Sequence, residues 1–134
     1  MKTSFPWLVA ACLLCAAPAH ADPAMAWRQL GVAQYLCGGV SDENMAALKS
    51  HRGEANAEAL FTSGAQGAYL ADVTVTIRND KMGSFMFIAD GPLCLLHLPP
   101  GRHTLEAEYR GHKQTRTLDI GKGLPSVKFN WPEV

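Results

Sequence analysis

From Val73 onward the chain alternates apolar and polar side chains. Val73, Val75 and Ile77 fall on one side of a strand, and Thr74, Thr76 and Arg78 on the other. A period of two marks a strand with one face in water. The pattern extends this strand back to Ala68 and forward to Asn79. Asn79–Gly83 then reads as a hairpin turn, with Ser84–Ala89 as the return strand. Leu93–Leu98 is almost continuously apolar, as a strand buried on both faces is. His103–Arg110 alternates again, with Leu105, Ala107 and Tyr109 opposite Thr104, Glu106, Glu108 and Arg110. Pro99-Pro100-Gly101 sets φ twice and then supplies a residue free to reverse the chain, which predicts a tight turn joining these two strands. Lys113–Ile120 and Ser126–Trp131 complete the series, with breaks at Gly111-His112 and Gly121–Pro125. Upstream, Tyr35–Val40 reads as a short strand. Ser41 caps a helix over Asp42–Arg52, with Asp42 and Glu43 at the positive end of its dipole and Gly53 as its stop. Ala57–Thr62 is a weak strand, expected at a sheet edge. Turns every eight to twelve residues or so predict an all-β, antiparallel sandwich of about seven strands with one short N-terminal helix.

The N-terminus has a different pattern. Lys2 precedes the apolar run Trp7–Ala17, and Ala19-His20-Ala21 forms a small-x-small site before Asp22-Pro23. This reads as a secretory signal peptide over residues 1–21, cleaved after Ala21, and its apolar run is too short to span a bilayer. The run Val9-Ala10-Ala11-Cys12 mimics a lipoprotein box and leaves a lipid anchor on Cys12 as the alternative. Residues 22–34 read as a loose segment or short helix, and residues 35–134 as one domain. Export by this route is expected to take the protein out of the cytoplasm.

Lys and Arg total 12 against 12 for Asp and Glu, and no basic stripe interleaves with aromatics, so nucleic acid is not an expected partner. Cys12 and Cys15 lie within the signal peptide, which leaves Cys37 and Cys94. In an oxidising compartment the two can form a disulfide, closing a loop worth about 4 kcal/mol. The other reading is two buried thiols acting as small hydrophobes.

Little of the chemistry converges. His51, His97, His103 and His112 show no helical i,i+4 zinc spacing. His97 and His103 flank the Pro-Pro-Gly turn and would approach each other across a hairpin, as a metal or pH-sensing pair or as ordinary turn and surface residues. Glu106 and Glu108 share a strand face roughly 7 Å apart, either as a carboxylate pair or as a solvated face. No nucleophile elbow, phosphate loop or calcium loop is present, and the pattern calls for no metal and no cofactor. The residues best suited to contact a partner are Trp27 and Tyr35, large aromatics outside the central strands, and Leu60 and Phe61 on the weak strand. An edge strand there would bind by strand addition.

Tyr69–Ile77, Asp90-Gly91-Pro92, Leu98-Pro-Pro-Gly-Arg-His-Thr-Leu105 and Tyr109-Arg-Gly111 together resemble the carboxypeptidase regulatory-like domains. Gly38-Gly39-Val40 before an acidic helix start looks like small periplasmic proteins that carry this one domain. The resemblance spans roughly Tyr35–Trp131. It implies a seven-stranded prealbumin-like (transthyretin-like), immunoglobulin-like sandwich. It also implies a non-catalytic accessory or binding domain of the cell envelope, with another envelope protein as partner. A related type is implicated in the stability of type IV pili. Two other functions remain open: a small-ligand or glycan-binding sandwich, and a transthyretin-like hydrolase. The C-terminal Asn130–Val134 does not match the hydrolase motif. The zinc site of the carboxypeptidases lies in a separate domain for which this chain has no room. The resemblance does not extend to Cys37 and Cys94, so a bond between them would be particular to this chain or its close kin.

Overall fold

The computed structural model describes residues 25–132, and the signal peptide expected over residues 1–21 lies outside the described residues. Two sheets pack face to face. The strands in chain order are β1 (Arg28–Leu30), β2 (Ala33–Gly38), β3 (Ala57–Ser63), β4 (Ala68–Tyr69), β5 (Val73–Asn79), β6 (Gly83–Ala89), β7 (Leu93–His97), β8 (Gly101–Tyr109), β9 (His112–Ile120) and β10 (Ser126–Trp131). One helix, α1 (Asp42–Lys49), and a 3₁₀ turn, Arg52–Glu54, join β2 to β3. The first sheet runs β1-β2-β7-β3-β10, with β4 paired to one end of β3, and the second runs β6-β5-β8-β9.

The all-β sandwich is therefore present, with ten strands among the described residues where the sequence pattern predicts seven. Two of the additional strands have local causes. β1 occupies part of the segment read as loose. The run Ala68–Asn79 is two strands because Asp72 takes φ 62° and its N–H bonds Ala89 O at 2.7 Å. That left-handed residue carries the chain from the first sheet to the second. β10 pairs parallel to β3, with Ser126 opposite Glu58 and Trp131 opposite Ser63, so the first sheet is mixed and not purely antiparallel.

The Pro-Pro-Gly turn is also corrected. It does reverse the chain, but β7 and β8 lie in different sheets. The true hairpins among the described residues are β5–β6 and β8–β9, together with the short β1–β2 and β3–β4. In the first of these, Asn79 Oδ1 accepts from the Lys81 and Met82 amides at 2.8 and 3.1 Å, and Gly83 takes φ 89°. In β8–β9, Arg110 and Gly111 both have positive φ, as a two-residue turn matched to strand twist requires.

Between the sheets lie Val73, Val75 and Ile77 of β5, Leu105 and Ala107 of β8, Leu96 of β7, and Phe61, Phe129 and Trp131 of β3 and β10. A second, smaller core sits on the outer face of the first sheet. There Leu36, Leu93 and Leu95 pack under Leu48 of α1. This is why β7 is apolar on both faces: Cys94 and Leu96 point into the sandwich, while Leu93 and Leu95 point to the helix. Ser41 Oγ caps α1 by accepting from Asn44 N at 3.1 Å, and Asn44 Oδ1 accepts from the Gly39 amide, tying the helix to the end of β2. The helix ends at Lys49, earlier than the predicted Arg52. Ser50 is its C-cap, and Ser50 Oγ donates to Ala47 O at 2.6 Å.

Cys37 and Cys94 are bonded. They stand directly opposite each other in the β2–β7 register, with Cα atoms 4.0 Å apart, and close 57 residues of chain. Both are buried.

Candidate functional site

The expected contact residues do not gather into one site. Trp27 is not on a loose arm. It packs against the smaller core, and its indole Nε1 donates to Glu54 Oε1 at 2.8 Å. The other Glu54 oxygen meets His51 Nδ1 at 3.0 Å. These two bonds, that of Trp27 first, hold the Glu54 carboxyl below the usual carboxylate value. Tyr35 is half-buried and stacks on Phe87 with ring centroids 3.9 Å apart. Phe61 has no exposed surface, and its ring stacks near Phe129 at 5.6 Å. The expectation of an edge strand here is overturned: β3 pairs with β7 on one side and β10 on the other. Its weak pattern reflects Ala57 and Ala59, small residues that fill the inward positions at that end.

The two histidines do not meet. His97 is exposed on the outer face, while His103 is wholly buried in the sandwich with Nε2 2.7 Å from Pro99 O. Glu106 is engaged by Arg78 at 2.7 Å and Lys113 at 3.4 Å on the wet face of the second sheet. The Arg78 hydrogen bond is the largest cause that lowers its pKa. Glu106 is thus bound in an ion cluster and is not half of a free carboxylate pair. Among the described residues no group of three or more His, Cys, Asp or Glu is placed to hold a metal ion. Among them, too, no helix is long and apolar enough to cross a membrane.

Leu60 stands apart from the other three. It points outward from β3, half-buried, into a groove between α1 and the first sheet. Met45 of α1, Leu93 of β7 and Tyr69 of β4 form the groove with it around a cavity of about 110 Å³. That cavity adjoins a shallow depression of about 370 Å³ along α1, where Val40, Met45 and Tyr69 contribute apolar surface. Val40 and Tyr69 are 69% and 60% exposed, among the most exposed large apolar side chains described.

Polar groups border this apolar floor. Arg52 reaches Glu58 with two hydrogen bonds, Nε to Oε2 at 2.9 Å and Nη2 to Oε1 at 3.1 Å. Ser126 Oγ donates to the same carboxylate at 3.4 Å. The pair is fork-to-fork and leaves the rim without net charge from these two residues. Lys49, at the negative end of the α1 dipole, has no ion-pair partner among the described residues. The groove therefore offers an apolar recess beside the cation of Lys49, with Asp42 also lining the depression. Sequence reasoning identifies Leu60 but misses Tyr69, Met45 and Lys49. The one available signal is Tyr69, a large aromatic just after the Gly64–Gly67 loop and just before the break at Asp72.

No family model matches this sequence, and comparison with curated proteins finds no match.

Proposed function

We propose that this protein is an exported, non-catalytic binding domain of the cell envelope, and that the groove beside α1 holds a segment of another envelope protein. The groove carries this reading: Tyr69 and Val40 are exposed beside the half-buried Leu60 and Met45, next to Lys49, which has no ion-pair partner among the described residues. Exposed apolar residues around a concave floor are the usual core of a protein contact, and a neighbouring cation selects charge. The matching segment presents one apolar side chain to the recess and a carboxylate one or two residues away to Lys49.

Two further features support the envelope setting. The N-terminal run ending in Ala19-His20-Ala21 has the order of a secretory signal peptide. The buried Cys37–Cys94 bond fits an oxidising compartment. The likeness to carboxypeptidase regulatory-like domains of small periplasmic proteins makes pilus maintenance the most concrete version of the role.

The test is photo-crosslinking in the envelope with a reactive aromatic at position 69, compared with the Lys49→Glu variant. One defined partner band at position 69, weakened by Lys49→Glu, is the expected result. Labelling that is diffuse, or indifferent to Lys49→Glu, overturns the groove. A deletion strain with normal pili and normal envelope integrity overturns the accessory role.

A further inference from the structure

Sheet edges expose unpaired backbone groups, and natural proteins protect them with charge, proline, shortness or a cover. Three of the four outer strands here are protected. β1 has three residues and carries Arg28. β9 and β10 lie against each other: Gln114 Nε2 donates to Asn130 O at 3.0 Å and Trp131 Nε1 to His112 O at 2.9 Å. β6 has none of these devices. Its seven residues, Gly-Ser-Phe-Met-Phe-Ile-Ala, include no charge and no proline. Among the described residues only β5 pairs with it. Met86 and Ile88 stand outward from it, 65% and 61% exposed.

The composition of this edge indicates what pairs with it. A strand with no charge meets a second copy of itself without like-charge repulsion. Antiparallel pairing of the full strand, end to end, places Met86 on the twofold axis. Phe85 then lies opposite the partner's Phe87, an aromatic cross-strand pair. The outward Met86 and Ile88 of both copies merge into one apolar strip. Lys81, in the turn before β6, comes beside Asp90, the residue after β6 in the other copy. Neither has an ion pair among the described residues. The twofold axis makes that pair twice.

We propose that two copies of this chain pair their β6 strands antiparallel about Met86, joining two four-stranded sheets into one of eight strands. The contact is isologous, so it closes at the dimer and leaves no free β6 edge to propagate. One strand per copy is a small interface, of the class that associates weakly and reversibly. The dimer also presents two α1 grooves, which raises avidity for a repetitive partner.

The experiment measures the molar mass of protein produced from the full-length sequence, by light scattering across a wide concentration range. The mass should double with rising concentration. Ile88→Lys replaces an exposed side chain and should fold normally by circular dichroism, yet raise the dissociation constant tenfold or more. Met86→Cys should crosslink copy to copy under mild oxidation, while Thr115→Cys on the outer face of β9 should not. A mass that stays monomeric throughout overturns the proposal. So does an Ile88→Lys variant that dimerises like the parent, or equal crosslinking at both positions. Tyr69→Ala should keep the parental dimer, so failure of the groove and failure of the β6 seam are read separately.

Discussion

Reducing the Cys37–Cys94 bond leaves both sulfur atoms in place and removes only the cross-link. That separates the bond's contribution from that of two buried hydrophobic side chains. The bond closes 57 residues, and the chain-entropy relation puts release of such a loop at about 4 kcal/mol. The enclosed stretch contains α1 and β3 through β6, so just over half of the described chain gains freedom in the unfolded state. Domains of this size have about 5–15 kcal/mol in total. Loss of 4 is therefore a large share, equivalent to a fall in Tm on the order of 15 °C. The assay is guanidinium denaturation of the purified protein with and without a phosphine reductant, with free thiols counted in the folded, unreduced state. We expect no free thiols, and a midpoint shift worth about 4 kcal/mol, with a steeper slope after reduction because the unlinked unfolded chain exposes more surface. The Cys37→Ala/Cys94→Ala variant should lose about 1–2 kcal/mol more, because it also empties buried volume. Two reactive thiols in unreduced protein, or coincident curves with and without reductant, would refute the reasoning.

Two other predictions follow from burial and charge. Phe61→Ala should cost about 3–5 kcal/mol by denaturation, since its ring has no exposed surface and lies against Phe129 and Trp131; a change below 1 kcal/mol would place Phe61 at the surface after all. Glu106 is held below the usual 4.5, first by the Arg78 hydrogen bond. A depressed folded pKa makes its contribution complete above about 4.5 and lost as pH falls through the lower folded value. In Arg78→Gln the Glu106 carboxyl, followed by NMR titration, should rise toward 4.5, and stability should fall less steeply with acid. An unmoved titration would mean that Arg78 is not the cause.

The parts of the fold that were legible are those whose information is local. β5, β8 and β10 alternate because one face of each is wet, and β7 is continuously apolar because α1 covers its second face. What could not be read depends on which strand meets which. A Pro-Pro-Gly turn reverses a chain equally well within one sheet or between two, so nothing local separates a β7–β8 hairpin from a crossing. The alternation of β10 is the same whether it lies parallel or antiparallel to β3. Asp72 looks like an ordinary turn aspartate, and only its φ of 62° shows that it divides one predicted strand into two. The weak pattern of β3 suggested an edge, but it comes from alanines in a paired interior strand. The groove was half legible. Leu60 could be singled out, whereas Tyr69 sits on a strand of two residues, too short to show any period.

The position of the groove follows from the size of the helix. α1 has eight residues, about 12 Å at 1.5 Å per residue. The five strands of the first sheet's main path span roughly 19 Å between outer strand axes at about 4.8 Å each. One short helix cannot cover that face. It lies over β2 and β7, where Leu36, Leu93 and Leu95 need burial, and stops short of β3 and β10. On those two strands the outward residues are Glu58, Thr62, Ser126, Lys128 and Asn130, with Leu60 as the single apolar one. A sheet face built only for water would carry a polar residue at position 60. Leu60 lies instead at the margin of the helix, with Tyr69 folded over from β4 and Lys49 beside it. Leu60→Thr therefore tests the groove without touching the sandwich core. It should change the denaturation midpoint little and abolish crosslinking from position 69. If stability collapses while crosslinking persists in the folded fraction, Leu60 belongs to the small core and the groove is only its rim.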